Sequence, residues 1–294
     1  MDSTRYKAFL AAAEEGSFTK AADKLSYTPS GVSQLISALE DDLGLALFTR
    51  SKKGVSLTAA GKAILPSARE LIQQEARILQ TASELKNLLA GEVSIATYSS
   101  ISTHWLPRVI SAFEKDYPAV QIQLFEGVWQ EVSERLDSGK ADLGFLSHQE
   151  NMPYDWIPLA NDPMIAVLPK NHPLAKAEYY PLTRCYEDSI IMPALGRDYD
   201  VLAMFERNKL NPKIRFSTIE TYSAMTMIEQ GLGVAFSNEL LTLRFDADIV
   251  RVPVYPEQSI TLGIALNSLE YAPPAVRKFI EYAVRELQSD MYKK

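Results

Sequence analysis

Sulfur and histidine are scarce in this chain of 294 residues, which has one cysteine, Cys185, and three histidines, His104, His148 and His172. A lone cysteine excludes an internal disulfide. It also has no resolving partner within the chain, so Cys185 reads as a structural or incidental thiol. The histidines are well separated, and no HExxH, CxxC, Walker-type or Gly-x-Ser-x-Gly run occurs. No metal, no cofactor and no enzymatic activity are therefore expected. Gly231-Leu232-Gly233 lacks the third glycine of a dinucleotide fingerprint and reads as a helix C-cap. No apolar stretch approaches the roughly 20 residues of a membrane span. The opening residues, Met1-Asp2-Ser3-Thr4-Arg5, lack the basic-then-apolar layout of a secretory leader, so a cytoplasmic protein without membrane contact is expected.

Basic charge is also in short supply: 30 Lys+Arg stand against 37 Asp+Glu, for a net charge of −7. As an average this argues against a polyanion partner, but the distribution is uneven. Residues 1–62 carry eight basic and seven acidic side chains and are +1, residues 63–90 are neutral, and residues 91–294 are −8. The basic groups Arg50, Lys52 and Lys53 form an unopposed tip. With 47% hydrophobic and 23% charged residues the composition is that of a globular protein. The length suits two domains, each able to bury a core.

The first segment carries three helical patterns. Tyr6, Phe9, Leu10 and Ala13 share one helix face, which Gly16 ends; Ser17 caps the next, with Phe18, Ala21, Ala22 and Leu25. Two adjacent alanines suit a close helix crossing. After a turn at Ser26-Tyr27, Thr28 caps a third helix with Pro29 at its first position. Its apolar ladder is Val32, Leu35, Ile36 and Leu39. The opposite ladder, Ser30, Ser33, Gln34 and Ser37, is short, uncharged and rich in hydroxyl and amide groups. Such a face can lie deep in a major groove, where glutamine pairs bidentately with adenine. Two helices, a tight turn and a polar outer face describe helix-turn-helix, with a generic helical hairpin as the bland alternative. The run Thr49 to Leu57 then reads as a β-wing that sets Arg50, Lys52 and Lys53 against phosphates.

In order and spacing, Phe9, Gly16-Ser17-Phe18, Ala21-Ala22, Leu25, Val32-Ser33-Gln34, Ile36, Leu39-Glu40, Leu43-Gly44, Leu47-Phe48, Arg50, Leu57-Thr58 and Gly61 resemble the N-terminal signature of LysR-type transcriptional regulators. The resemblance implies base contacts at Pro29, Ser30, Ser33 and Gln34, to which the polar ladder adds Ser37. It implies backbone contacts at Arg50, Lys52 and Lys53, beside the cap residue Thr28. Many family members have glutamine where this chain has Pro29, so readout leans on Gln34 and the serines.

From Thr58 a heptad seam runs through Ile64, Ala68, Leu71, Glu75, Ile78, Ala82, Leu85 and Leu89 to a stop at Gly91. It reads either as an amphipathic helix lying on its own domain or, preferably, as a helix that pairs with a second copy. In the resembled family it is the dimerisation linker, here residues 59–90 after a DNA-binding domain at 1–58. Ile64, Leu71, Ile78, Leu85 and Leu89 are the expected pairing residues. Glu75 either sets register or sits at the seam's edge.

Beyond Glu92 strand and helix patterns alternate, which argues for a mostly parallel α/β sheet with ligands beyond the strand ends. Strand candidates are 93–97, 120–124, 143–146, 164–168, 189–192, 233–236 and 262–266; helical patterns cover 129–138, 200–209, 222–230 and 275–288. The first strand ends in Tyr98-Ser99-Ser100-Ile101-Ser102-Thr103, a hydroxyl cluster that could anchor an anion or carboxylate, although any single serine could be only an N-cap. Similar corners occur at Ser147, Pro193 and Thr221. Phe113 to Pro118, Leu136 to Leu143, His172 to Ala175 and Met227 to Ala235 also resemble the family's effector domain. That likeness implies two lobes of periplasmic-binding-protein type, 91–161 with 267–294 and 162–266. Ser99, Ser100, Ser102, Thr103, Ser147, Pro193 and Thr221 are the expected effector residues.

The expected fold is thus α/β overall: a winged helix-turn-helix, a long linker helix and a two-lobed α/β effector domain. The expected function is sequence-specific, effector-modulated transcriptional regulation. Its partners would be partly palindromic double-stranded DNA, a small effector that the hydroxyl cluster suits to an anion, RNA polymerase and further copies of the chain, as homodimer or homotetramer. A solute-binding or transport-type receptor built on the same lobes is the alternative.

Overall fold

The computed structural model describes residues 2–51, 54–84, 89–245 and 247–291. They fall into two compact units, Met1–Gly91 and Glu92–Lys294.

The first unit opens with α1 (Ser3–Glu15), α2 (Phe18–Leu25) and α3 (Pro29–Leu43). Each has the local chemistry that starts and stops a helix. The side chains of Asp2, Ser17 and Thr28 accept the backbone N–H groups of Thr4, Lys20 and Gly31, and Gly16, Ser26 and Gly44 end the helices in the left-handed conformation. Ala12, Ala21 and Ala22 are fully buried, so the backbones approach closely around Phe9, Val32, Ile36, Leu39 and Leu47. Strands β1 (Phe48–Ser51) and β2 (Gly54–Leu57) pair antiparallel as the wing. The wing is fixed at both ends. Val55 N–H donates to Gly16 O at 2.9 Å. Glu40 Oε1 accepts the N–H groups of Leu47 and Phe48 at 2.6 and 3.1 Å.

Thr58 caps α4 (Ala59–Glu84) by accepting Gly61 N–H. Leu85 lies outside the described residues, and Leu89 lies beyond the described helix. The seam does not form one uniform pairing face. Ala68 is buried, and Ile64, Leu65 and Ile72 pack against the core of this same unit. Glu75 accepts hydrogen bonds from Ser3 Oγ and Lys7 Nζ, both at 2.8 Å, which ties α4 to α1. The expected pairing residue Ile64 is therefore committed to its own domain, because α4 crosses α1 before running on. Leu71, Ile78 and Leu79 remain exposed, at 36%, 69% and 65%.

In the second unit, β3 (Gly91–Thr97), α5 (Ser99–His104), α6 (Leu106–Asp116), β4 (Val120–Glu126), α7 (Trp129–Asp137) and β5 (Leu143–Ser147) build one lobe. Strand β6 (Asp155–Pro169) leads out of it. The other lobe contains β7 (Tyr180–Pro181), β8 (Ile190–Met192), α8 (Tyr199–Arg207), β9 (Ile214–Ser217), α9 (Thr221–Glu229), β10 (Ala235–Asn238), α10 (Glu239–Thr242) and β11 (Ile249–Tyr255). The chain returns through β12 (Ser259–Leu266) to α11 (Pro274–Met291). Phe279 of α11 meets Phe113 of α6 edge-on, with ring centroids 5.3 Å apart.

Two expectations are corrected here. The sheet, in the order β4-β3-β5-β12-β6-β11-β7 with β10 also on β6, is mixed rather than mostly parallel. Strand β3 runs parallel to β5, but β12, β10 and β11 all run antiparallel to β6. The chain leaves the first lobe along β6 and returns along β11 and then β12, which continue in one direction beside it, so the outgoing and returning strands lie antiparallel. The return crossing also falls earlier than residue 267. Residues 259–266 pair with β5 and with the first half of β6, and so belong to the first lobe's sheet.

Candidate functional site

On α3, Ser30 and Gln34 are exposed, and Ser33 and Ser37 are half-buried. Arg50, expected at the duplex backbone, reaches over this face. Its guanidinium lies 3.5 Å from Ser33 Oγ and 3.3 Å from Ser37 Oγ, 4.0 Å from the Glu40 carboxylate and 5.2 Å from the Phe18 ring centroid. Thr28 Oγ1 accepts Gly31 N–H and shares a hydrogen bond with Ser30 Oγ at 3.1 Å, which orders the start of the helix around exposed Pro29. Lys52 and Lys53 lie outside the described residues. The face thus offers hydroxyl, amide and guanidinium groups with no carboxylate on its outer ladder.

Between the lobes of the second unit lies a cavity of about 290 Å³. Ser99, Ser100, Pro193 and Thr221 line it. Ser102 is turned aside: its hydroxyl lies 3.0 Å from Ser99 O and 2.8 Å from Glu126 Oε1. Thr103 is exposed and is not among the lining residues. Ser147 is fully buried and donates to Asp200 Oδ1 at 2.7 Å, with Tyr98 OH 3.0 Å from its oxygen and Gln149 Nε2 donating to both. This network links β5 to α8 across the lobes. Two further links run beside it. Trp129 and Tyr199 stack at 5.4 Å, and Arg197 pairs with Glu131 at 3.3 Å.

Burial and the adjacent Asp200 push Asp198 up to about 6. Burial raises Asp200 as well, against the hydrogen bonds from Ser147, Tyr98 and Gln149 that favour its charge. Burial and the Asp200 charge together hold Tyr98 well above the usual phenol range. Glu126, Glu131, Asp198, Asp200 and Glu220 line the cavity together with Arg197. Trp129, Tyr199, Glu126, Asp198 and Asp200 were not among the expected site residues. The Asp198-Tyr199-Asp200 run at the start of a helical pattern was the one local signal for three of them. Cys185 is buried, and burial pushes its thiol up to about 11, which keeps it protonated and unreactive.

A winged helix-turn-helix, a long helix and a two-lobed domain closing on a cavity together define a ligand-responsive DNA-binding regulator. The chain belongs to the LysR-type family of transcriptional regulators, whose members are regulators and not enzymes. The family model for the bacterial regulatory helix-turn-helix protein, lysR family, matches residues 4–62, and that for the LysR substrate binding domain matches residues 86–288. The chain is 33% identical, over 96% of its length and 98% of the relative's, to the uncharacterized HTH-type transcriptional regulator YvbU of Bacillus subtilis. It is similar in structure to a full-length OxyR variant from Pseudomonas aeruginosa, with a TM-score of 0.77, 21% identity and coverage of 98% and 95% of the two chains. It is also similar to full-length CbnR complexed with its target DNA, with a TM-score of 0.66, 22% identity and coverage of 97% and 100%. DNA is thus a partner and a small-molecule effector modulates its regulation, which sets aside the solute-receptor alternative.

Proposed function

We propose that two copies of the chain, joined through the exposed stripe of α4, dock on a partly palindromic duplex in the cytoplasm. The outer face of α3 enters the major groove, where Gln34 and the hydroxyls of Ser30, Ser33 and Ser37 meet base edges beside Pro29. Thr28, Lys52 and Lys53 meet the phosphates, and Arg50 swings from Ser33 and Ser37 to join them. A small molecule held between the lobes by Ser99, Ser100, Pro193 and Thr221 changes how the copies sit on the operator, and through it the recruitment of RNA polymerase.

The observation that carries this reading is the pairing, in one chain, of a polar reading face free of carboxylates on its outer ladder with a cavity bounded by hydroxyl, aromatic and carboxyl groups. Selection of bound genomic fragments, with and without a panel of small metabolites, tests both halves. Enriched fragments with a common two-fold motif, and an occupancy that changes with one metabolite class, are expected. Random fragments would overturn the docking half, and an occupancy indifferent to every metabolite would overturn the sensing half.

A further inference from the structure

We propose that the interlobe cavity takes a small organic cation, a primary amine or amidine, as its effector. This rests on the reading of that cavity as the effector site and concerns the chemistry of its occupant.

Two of the hydroxyls that mark the site in the sequence as an anion anchor are already engaged. Ser102 Oγ sits on Glu126 Oε1 and Ser99 O, and Ser147 Oγ donates to Asp200. Acids from both lobes line the space: Glu126 and Glu131 from one, Asp198, Asp200 and Glu220 from the other. Arg197 is the one cationic side chain lining it among the described residues, and it faces Glu131 at 3.3 Å. An anion entering here would meet several carboxylates and no uncommitted cation. An ammonium group would find charge partners on both lobes and draw them together.

Two further features fit that occupant. Glu220 precedes α9, makes no side-chain hydrogen bond to its first turn, and lines the cavity. Trp129 and Tyr199, one from each lobe, supply aromatic faces at the same wall, where a desolvated cation gains from the ring quadrupole. Burial opposes the charged form of Asp198 and Asp200, and an ammonium beside them would favour it.

The test is thermal unfolding of the full chain with two matched pairs of probes, tyramine against 4-hydroxyphenylacetate and putrescine against succinate. At equal concentration one or both amines are expected to raise Tm by several degrees, and the matching acid by less than one. Glu126→Gln and Glu220→Gln, both at exposed positions, are expected to reduce the amine shift at least threefold, with unliganded Tm as the folding control. A larger shift with either acid would overturn the cation assignment and leave the cavity as the effector site. No shift with any probe would overturn the assignment for amines of this size, while fragment selection decides the site independently. An amine shift untouched by both variants would place the binding elsewhere and overturn it too.

Discussion

Glu40 lies near the end of the reading helix, and a single carboxylate oxygen accepts the backbone N–H groups of both Leu47 and Phe48, where the wing begins. Removing it leaves two part-buried donors without their acceptor, at a cost of about 1–3 kcal/mol. Glu40→Ala should therefore lower the Tm of the first unit and loosen the wing. Faster amide exchange at Leu47 and Phe48 is the check, and unchanged protection there would count against the link. Gln34 is the longest uncharged side chain on the same helix's outer ladder. Gln34→Ala should relax base preference at one half-site position, losing ~1–3 kcal/mol of discrimination in a binding-site selection. An unchanged preference would argue against the docking proposed here. At this scale the sharing of one helix face by Ser30, Ser33, Gln34 and Ser37 was legible, because local periodicity fixes it. The chemistry of the effector cavity was not. Its hydroxyl corners follow strand ends, but its carboxylates arrive from separated segments, and only the tertiary fold brings Glu126, the Asp198-Asp200 pair and Glu220 to one space.

Among the elements, α4 shows how a regular pattern can serve two surfaces. The heptad steps are real, yet the first half of the stripe packs on α1, and Glu75, the polar residue in the seam, pairs with Ser3 and Lys7. The exposed remainder, Leu71, Ile78 and Leu79, is what a second copy can cover. Ile78→Glu should therefore weaken self-association at least tenfold in sedimentation experiments and leave the secondary structure intact. A variant that stays as associated as the parent would place the pairing surface elsewhere. Short β9, with no proline, was missed in the sequence, and so were the first half of β6, β7 and β11, which all carry proline. Pro158 and Pro163 sit in the first half of β6 and Pro253 in β11, and proline lacks the N–H that a central ladder needs. The structure accommodates Pro158 opposite Gly263, at the register shift between Leu262 and Gly263. A side chain at Gly263 would collide with Ile157 O and the Trp156 ring, so the bulge needs glycine there.

For the molecule as a whole, the net charge of −7 is a property of the sensing unit more than of the DNA-binding one. A module at +1 binds a polyanion weakly by itself, so affinity comes from two or more modules held together. The acidic cavity also sets a pH dependence. Asp198 has a folded-state value of about 6 against an ordinary 3.8, so the folded chain holds more protons between those limits than the unfolded chain does. Stability from this group is therefore greatest at low pH and is lost as pH rises through about 4 to 6. Asp198→Asn should raise Tm relative to the parent at pH 7, with the difference shrinking toward pH 4.5. An equal difference at both pH values would contradict the cause assigned to the shift.

Strand β6 passes without interruption from one lobe's ladder to the other's, pairing with β12 up to Pro163 and with β10 and β11 from Met164 onward. At its midpoint Asp162 accepts Asn238 Nδ2 at 2.6 Å and Leu240 N–H at 3.1 Å. The joint is thus a clamped beam and not a loose hinge. A receptor built this way gives up the wide jaw movement of a freely hinged one. A small response amplitude and closely similar free and occupied shapes are the expected outcome, and a spectroscopic probe beside Asp162 would follow occupancy better than a change in overall size.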